Sequence, residues 1–387
     1  MNESKPSNPS FPSSPSPPAP PPPFDAPDAR AAQQSRGRLL ALAGIGAIAL
    51  GSASAFAWAA GWLGGDRLTA QRLVGAMEAN GPAHPGFRRN HAKGVCVAGM
   101  FRGTEQGQAL STVAAFSGEP VPVLGRFSIG GPNPQGADNN ARVRSMALQL
   151  GGPDAAQWRM ALNSFPFFAV ATPQAFHEQT LAERPDPATG KPDPAAMAAF
   201  LAAHPQAREF QQWAKTAPWS DSWANTQYNS VNAFRFIDAD GTERFVRWSM
   251  RPHAAFHALD AAERERADVD FLAADLRARL ARGSVRWDMV VTLAAAGDPV
   301  NDPSRLWSGP REQVVAGTLT LLHFEPQATG ECRDVNFDPL ILPSGVAASD
   351  DPILAARSAA YSQSFNRRQR EIALGHGDAA TGPEQAR

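Results

Sequence analysis

Three kinds of apolar spacing run along the chain. The first is an unbroken run. Leu39 to Gly65 contains no charged residue and is rich in Ala, Leu, Ile, Gly and Trp. At about 1.5 Å of rise per residue it is long enough to cross a hydrocarbon core of about 30 Å. The second is a helical period. Thr69, Ala70, Leu73, Val74 and Met77 predict a helix within 66–85, stopped by Gly81-Pro82. The same period predicts an Ala-rich helix over 193–215, a charged one over 260–282 and a final one over 351–373. The third is alternation, which predicts strands over 92–101, 121–130, 143–150, Val285–Ala294 and Val314–His323. A hairpin fills Val231–Met250, with Phe234-Arg235-Phe236-Ile237, an Asp240-Gly241 turn and Phe245-Val246-Arg247-Trp248. Asn133–Asn140 is a Gly/Pro/Asn loop. No internal repeat is visible. Many strands with helices inserted and appended predict an α+β fold.

Composition changes this picture mainly at the N-terminus. Ten of the first 23 residues are Pro, so residues 1–38 are expected to be a disordered tail. Arg36 and Arg38 precede the apolar run, which predicts a cytoplasmic N-terminus, an inner-membrane anchor over 39–65 and a main domain, 66–373, in a bacterial periplasm. The rival is a cleaved signal segment with Ala53-Ser54-Ala55 as its cleavage site. The apolar run continues through Phe56, Trp58 and Trp62, which favours the anchor. Residues 374–387 read as a polar tail. A net charge of −1 argues against nucleic acid as a partner. Cys96 and Cys332 could pair in an oxidising compartment, but the place of Cys96 on the 92–101 strand favours an isolated buried thiol. No spacing suggests a zinc-type site. The 260–282 helix reads as a solvated face, and Trp287 and Trp307 as core.

The candidate chemistry starts from Arg357 and Tyr361, one of only two tyrosines. Asp351 is placed to cap their helix and Pro352 fits its first turn. Residues i and i+4 share a helix face, and a guanidinium there favours the phenolate. A tyrosinate is a known axial ligand of haem iron. Arg368, seven residues on, falls on roughly the same face and could meet a haem propionate.

The stretch Phe337-Asp338-Pro339 … Leu342-Pro343-Ser344-Gly345 … Asp351-Pro352-Ile353-Leu354 … Arg357 … Tyr361 resembles the haem-ligand region of the catalase family. Arg88-Arg89-Asn90-His91-Ala92-Lys93-Gly94 resembles its distal-histidine segment, Arg126-Phe127-Ser128 its Arg-Phe-Ser, and Asn163-Ser164-Phe165-Pro166-Phe167-Phe168 its distal-asparagine segment. Order and spacing agree over residues 80–372. The resemblance implies an antiparallel β-barrel with haem, of the b type, inside it. It implies that Tyr361 ligates the iron and Arg357 keeps it ionised. It implies His91 as the group that moves a peroxide proton, Ser128 as its hydrogen-bond partner and Asn163 as the amide that holds peroxide. Arg88, Arg126 and Arg368 would neutralise propionates, and Phe176 would stack on the haem. The chain ends soon after the tyrosine helix, which resembles the small catalase-related peroxidase branch.

Three positions depart from large catalases. Asn90 and Gly130 stand where those carry valines, and Arg142 where they place a channel aspartate. The first two changes are expected to widen and wet the distal side, and the third to remove a charge that orients hydrogen peroxide; together they are expected to disfavour disproportionation of hydrogen peroxide and to favour organic hydroperoxides with small organic electron donors. The alternatives are true catalase activity, isomerase or dehydratase chemistry on fatty-acid hydroperoxides, and a non-enzymatic, membrane-anchored haem-binding protein.

Overall fold

The computed structural model describes residues 29–60, 63, 67–152 and 154–376. It divides into two units, Met1–Arg67 and Leu68–Arg387. In the first, helix α1 runs over Ala29–Ala59, so the stretch 29–38, expected to lack structure, is helical from its first described residue. Residues 1–28 and 377–387 of the two expected tails lie outside the described residues. Within α1, Leu40–Ala59 is long and apolar enough to cross a membrane, by length and composition.

In the second unit the helices are α2 (Ala70–Glu78), α3 (Glu105–Leu110), α4 (Pro173–Ala182), α5 (Pro194–Ala203), α6 (Ala207–Thr216), α7 (Ala261–Arg266), α8 (Phe271–Arg282) and α9 (Pro352–Ala373). The strands are β1 (Gly94–Gly103), β2 (Pro120–Ile129), β3 (Arg144–Leu150), β4 (Trp158–Asn163), β5 (Trp219–Ser220), β6 (Tyr228–Asn229), β7 (Phe234–Ile237), β8 (Glu243–Pro252), β9 (Ala258–Leu259), β10 (Val285–Leu293), β11 (Gln313–Pro326) and β12 (Val346–Ala348). Two predicted helices are each broken in two. Pro205 disfavours helical geometry at His204, which ends α5 at φ −125°, ψ 69°. Buried Asp138 reaches from the 133–140 loop to accept the Leu272 N–H at 3.0 Å, starting α8 afresh.

Strands β10, β11, β1, β2, β3, β4, β6 and β8 pair in that order, and β8 pairs back onto β10, closing an antiparallel barrel. β7 and β12 continue from β8. Along each wall strand, alternate residues face in and out. Val95, Phe127, Met146 and Leu162 face in and join the main core. Aromatic side chains fill the interior. Phe127 lies 5.6–5.7 Å from Trp223, Tyr228 and Trp287 by ring centroids, and Trp158 lies 5.4 Å from Trp248. These rings pack the barrel interior between β2, β4, β6, β8 and β10. The cavity that collects the candidate residues lies on the outward face of β2, β3 and β4, roofed by residues of α2, α4 and α9.

Two other expectations are corrected. Cys96 and Cys332 form a disulfide, and both are fully buried. Cys96 shares its cross-strand position with Arg126, so it points outward from the barrel, where the turn carrying Cys332 covers it. Trp287 is core, but Trp307 is only half-buried, under the Arg247 guanidinium at 4.6 Å.

Candidate active site

Register builds the floor of the cavity. Gly94, Ser128, Ser145, Asn163 and Asn229 are successive cross-strand partners on β1, β2, β3, β4 and β6. Directly opposed residues in an antiparallel pair project from the same face, so Ser128, Ser145 and Asn163 form one polar row. Ser145 Oγ donates to Asn163 Oδ1 at 2.6 Å, which leaves the Asn163 amide hydrogens for the cavity. The neighbouring row on that face is Arg126, Ala147 and Ala161, and the two alanines give a low floor beside the arginine. Gly94 is needed at the end of the first row. A Cβ there would fall 2.3 Å from the Phe127 carbonyl oxygen and 2.6 Å from Arg126 Nη2.

His91 stands on the loop that enters β1, in the left-handed region at φ 55°, a conformation uncommon outside glycine. Its backbone is held from both sides. Asn90 Oδ1 accepts from His91 N and from Gly131 N, each at 2.8 Å. Arg126 Nη2 donates to the carbonyl of His91 at 2.8 Å and to that of Ala92 at 3.2 Å. Two residues on, Lys93 pairs with Asp138 at 2.9 Å and Asp270 at 2.7 Å. Burial raises the Asp138 carboxyl, and Lys93 opposes that shift. The imidazole itself is pushed down to about 3, first by burial and then by the Arg126 and Arg357 charges. It is therefore neutral at physiological pH. Its Nδ1 is buried without a hydrogen-bond partner among the described residues. Ser128 lines the cavity beside it.

Helix α9 supplies the other wall. Asp351 caps it, accepting from Ile353 N at 2.8 Å, and is itself bonded by Asn232 Nδ2 at 2.7 Å. The same buried Asn232 accepts from Arg357 Nη1, and Arg357 Nη2 donates to the Ala161 carbonyl at 2.8 Å. Asn232 follows Val231, a β-branched residue at φ 65°, which turns the chain between β6 and β7. The guanidinium thus ties α9 to the barrel wall, and its hydrogen bonds go there rather than to the phenol. Tyr361, one turn on, lines the cavity and packs against the cluster of Cys96, Cys332 and Phe337.

Arg88, Arg126 and Arg368 line the same cavity. Arg126 and Arg368 are 3% and 2% exposed, so their charges meet little water. Burial pulls Arg126 down to about 9 and Arg368 to about 10, and Arg88 falls well below its ordinary value. After burial, the strongest cause at Arg88 is repulsion from Arg126 and Arg368. No carboxylate pairs with any of the three among the described residues, and Arg368 Nε is buried without a partner. Such a cluster is complementary to a group bearing carboxylates. Phe176, on α4, lies 5.4 Å from Phe168 at the apolar side. The cavity is about 610 Å³, within the range of about 300–1,000 Å³ usual for cofactor sites. A flat alanine floor, a tyrosine, an arginine cluster and an orphaned guanidinium nitrogen fit a haem with two propionates.

All nine candidate residues line this one cavity: His91, Asn163, Ser128, Tyr361, Arg357, Arg88, Arg126, Arg368 and Phe176. The three departures read differently in place. Asn90 spends its amide oxygen on backbone N–H groups. A Cβ on Gly130 would meet Val143 Cβ at 3.2 Å, so Val143 fills the room expected to open there. Arg142 lies over the Trp219 ring at 4.4 Å, a ring that Arg264 also covers at 4.4 Å. Sequence reasoning missed Ser145, Asn232, Lys93 and Gln327. Only Lys93 carried a usable signal, standing within the His-Ala-Lys-Gly motif.

A model of the catalase family matches residues 85–371. The chain is 37% identical over 305 residues to a catalase-related peroxidase of Synechococcus elongatus, covering 79% of this chain and 90% of that protein. It is 35% identical over 304 residues to a catalase-related peroxidase of Mycolicibacterium paratuberculosis, covering 78% and 95%. Among solved structures, a fungal catalase superposes with a TM-score of 0.65 at 21% identity, over 73% of this chain and 59% of that one. A bacterial catalase does so with a TM-score of 0.65 at 20% identity, over 75% and 59%. The chain therefore spans about 59% of each solved catalase chain, and both share its fold.

Proposed function

The chain belongs to the catalase family, and from that membership we propose a haem-dependent peroxidase that reduces organic hydroperoxides with small organic electron donors. One observation carries the reading: a neutral, half-buried His91, the free amide of Asn163 and Tyr361 line a single cavity that also holds three arginines without carboxylate partners among the described residues. A bound haem would supply the iron that takes up the peroxide oxygen and stores its two oxidising equivalents. Tyr361 would hold the iron, and Arg357 would favour its phenolate. Arg88, Arg126 and Arg368 would bind the propionates. Asn163 would donate its amide hydrogen to the peroxide. His91 would take the proton from one peroxide oxygen and return it to the other as the O–O bond opens, the work of a neutral imidazole. One hydroperoxide, two electrons and two protons then give an alcohol and a water. The chain's two cysteines are joined to each other. That leaves no thiol for thioether attachment and favours a non-covalent haem of the b type. The disulfide also favours an oxidising compartment. With Leu40–Ala59 as an anchor, it supports a haem domain held in the periplasm.

The test is an absorption spectrum of the purified protein and of Tyr361→Phe, followed by steady-state rates. The expected outcome is a haem spectrum that Tyr361→Phe loses or shifts. Organic hydroperoxide turnover should require a donor. Rapid oxygen release from hydrogen peroxide without a donor would replace the reading with true catalase activity.

A further inference from the structure

One short segment holds all three arginines of the cluster. Arg88 donates to the carbonyls of Cys332 at 3.1 Å and Val335 at 2.9 Å. Arg368 donates to the carbonyl of Arg333 at 2.7 Å. Arg126 Nε donates to Gln327 Oε1 at 2.9 Å. Residues 327–335 thus set where the three charges point. Yet this segment is a turn and one short 3-10 helix, Glu331–Asp334, outside the sheet. The backbone bonds of Thr329, Gly330, Arg333 and Val335 are all made to carbonyls between Pro326 and Cys332, so they shape the segment and reach the barrel only at Pro326, the last residue of β11. Beyond that junction with β11, Gln327 donates to the Ala92 carbonyl at 3.0 Å, and the Cys96–Cys332 disulfide joins β1 to the turn across 236 residues. The turn is pressed against the strand: a Cβ on Gly330 would lie 2.7 Å from Cys96 Sγ.

We propose that the Cys96–Cys332 disulfide is a positioning device of the cofactor site. It pins the 327–335 turn to β1 and thereby aims the arginines that receive the dianionic edge of the haem. Without the bond, the turn retains its shape but not its place, and the propionate contacts loosen together. This inference rests on the haem reading above.

Haem release to an excess of an apoglobin measures it. The forms compared are the wild type, the Cys96→Ala/Cys332→Ala double variant, and the wild-type chain produced with both thiols reduced, which needs no substitution. Each is loaded with haem and, separately, with haem dimethyl ester, which has no free carboxylate. Circular dichroism checks that each form is folded. Losing the bond is expected to speed haem release roughly 10- to 100-fold, while ester release stays nearly unchanged. Equal acceleration of haem and ester would mean that the disulfide merely stabilises the fold, and would overturn the proposal. No acceleration of either would overturn it too, because the turn would then hold itself. Failure of the haem reading looks different: the intact wild type would retain neither compound.

Discussion

Helix α9 and the β2–β4 wall furnish the same cavity by opposite means. On α9, the residues that matter lie within 18 positions of one another, from Asp351 to Arg368, and one helical turn brings Arg357 above Tyr361. On the wall, Ser128, Ser145 and Asn163 come from three strands and meet only because the register aligns them. The helix face tolerates separate failures, since each residue is placed by the helix itself. The wall is collective, since a slip of one residue in β3 would turn Ser145 into the barrel and bring Met146 out. Support follows the same division. The start of the helix is tied through one buried amide, Asn232, whereas the wall depends on a ladder of backbone bonds and on the loop clamps around His91.

That contrast can be broken at its strongest point. Replacing His91 by Gln removes the proton carrier of the wall side while leaving α9 intact. Hydroperoxide turnover is expected to fall roughly 10²- to 10⁴-fold with the haem spectrum largely preserved, read by stopped-flow absorbance. Retained turnover would shift the proton chemistry to another group. Next in size is the helix-side support. Asn232→Leu leaves Arg357 and Asp351 without their shared partner in a buried place. It is expected to lower stability by at least about 1–3 kcal/mol, seen in chemical denaturation, and to weaken haem retention with it. An unchanged unfolding midpoint would show that α9 seats itself. The smallest effect concerns pH. An ordinary imidazole loses its base form as pH falls through its value of 6.5, but His91 titrates at about 3. The rate of reaction with hydroperoxide should therefore change less than about two-fold between about pH 5 and 8. For stability the sign is the reverse of a paired histidine. The unfolded chain binds the His91 proton first, so the contribution is complete above 6.5 and is lost as pH drops toward 3. A rate profile with a break near 6.5 would contradict the assignment.

What could be read from the chain follows from the same contrast. Arg357, Tyr361, the cap Asp351 and the Phe234–Trp248 hairpin are local patterns, and they lie where periodicity predicts. His91, Asn163, Arg88 and Arg126 were legible only through a family resemblance, because each is a single residue whose neighbours in space are distant in sequence. Ser145 and Asn232 could not be found, since a cross-strand partner and a turn amide leave no spacing to detect. The disulfide was misjudged because whether a strand cysteine is alone depends on what covers the outward face, here a turn 236 residues away. Which face of the wall the cavity adjoins was not legible for a related reason. Sequence patterns distinguish apolar from polar faces but not which of them a cavity adjoins, and the inward positions are filled by Phe127, Trp158 and Trp287.

The outward position of the cavity has a consequence for how such a protein can change. Along β2, β3 and β4, neighbouring residues serve different masters: Phe127, Met146 and Leu162 pack in the barrel core, with Met146 and Leu162 also bordering the cavity, while Arg126, Ser128, Ser145 and Asn163 line the cavity from the outward face. A laboratory library restricted to the outward parity would explore new reactions at little cost to foldedness, and one restricted to the inward parity would tune hardiness with less effect on the reaction. Evolution has had those two dials, one residue apart, on every strand of the wall.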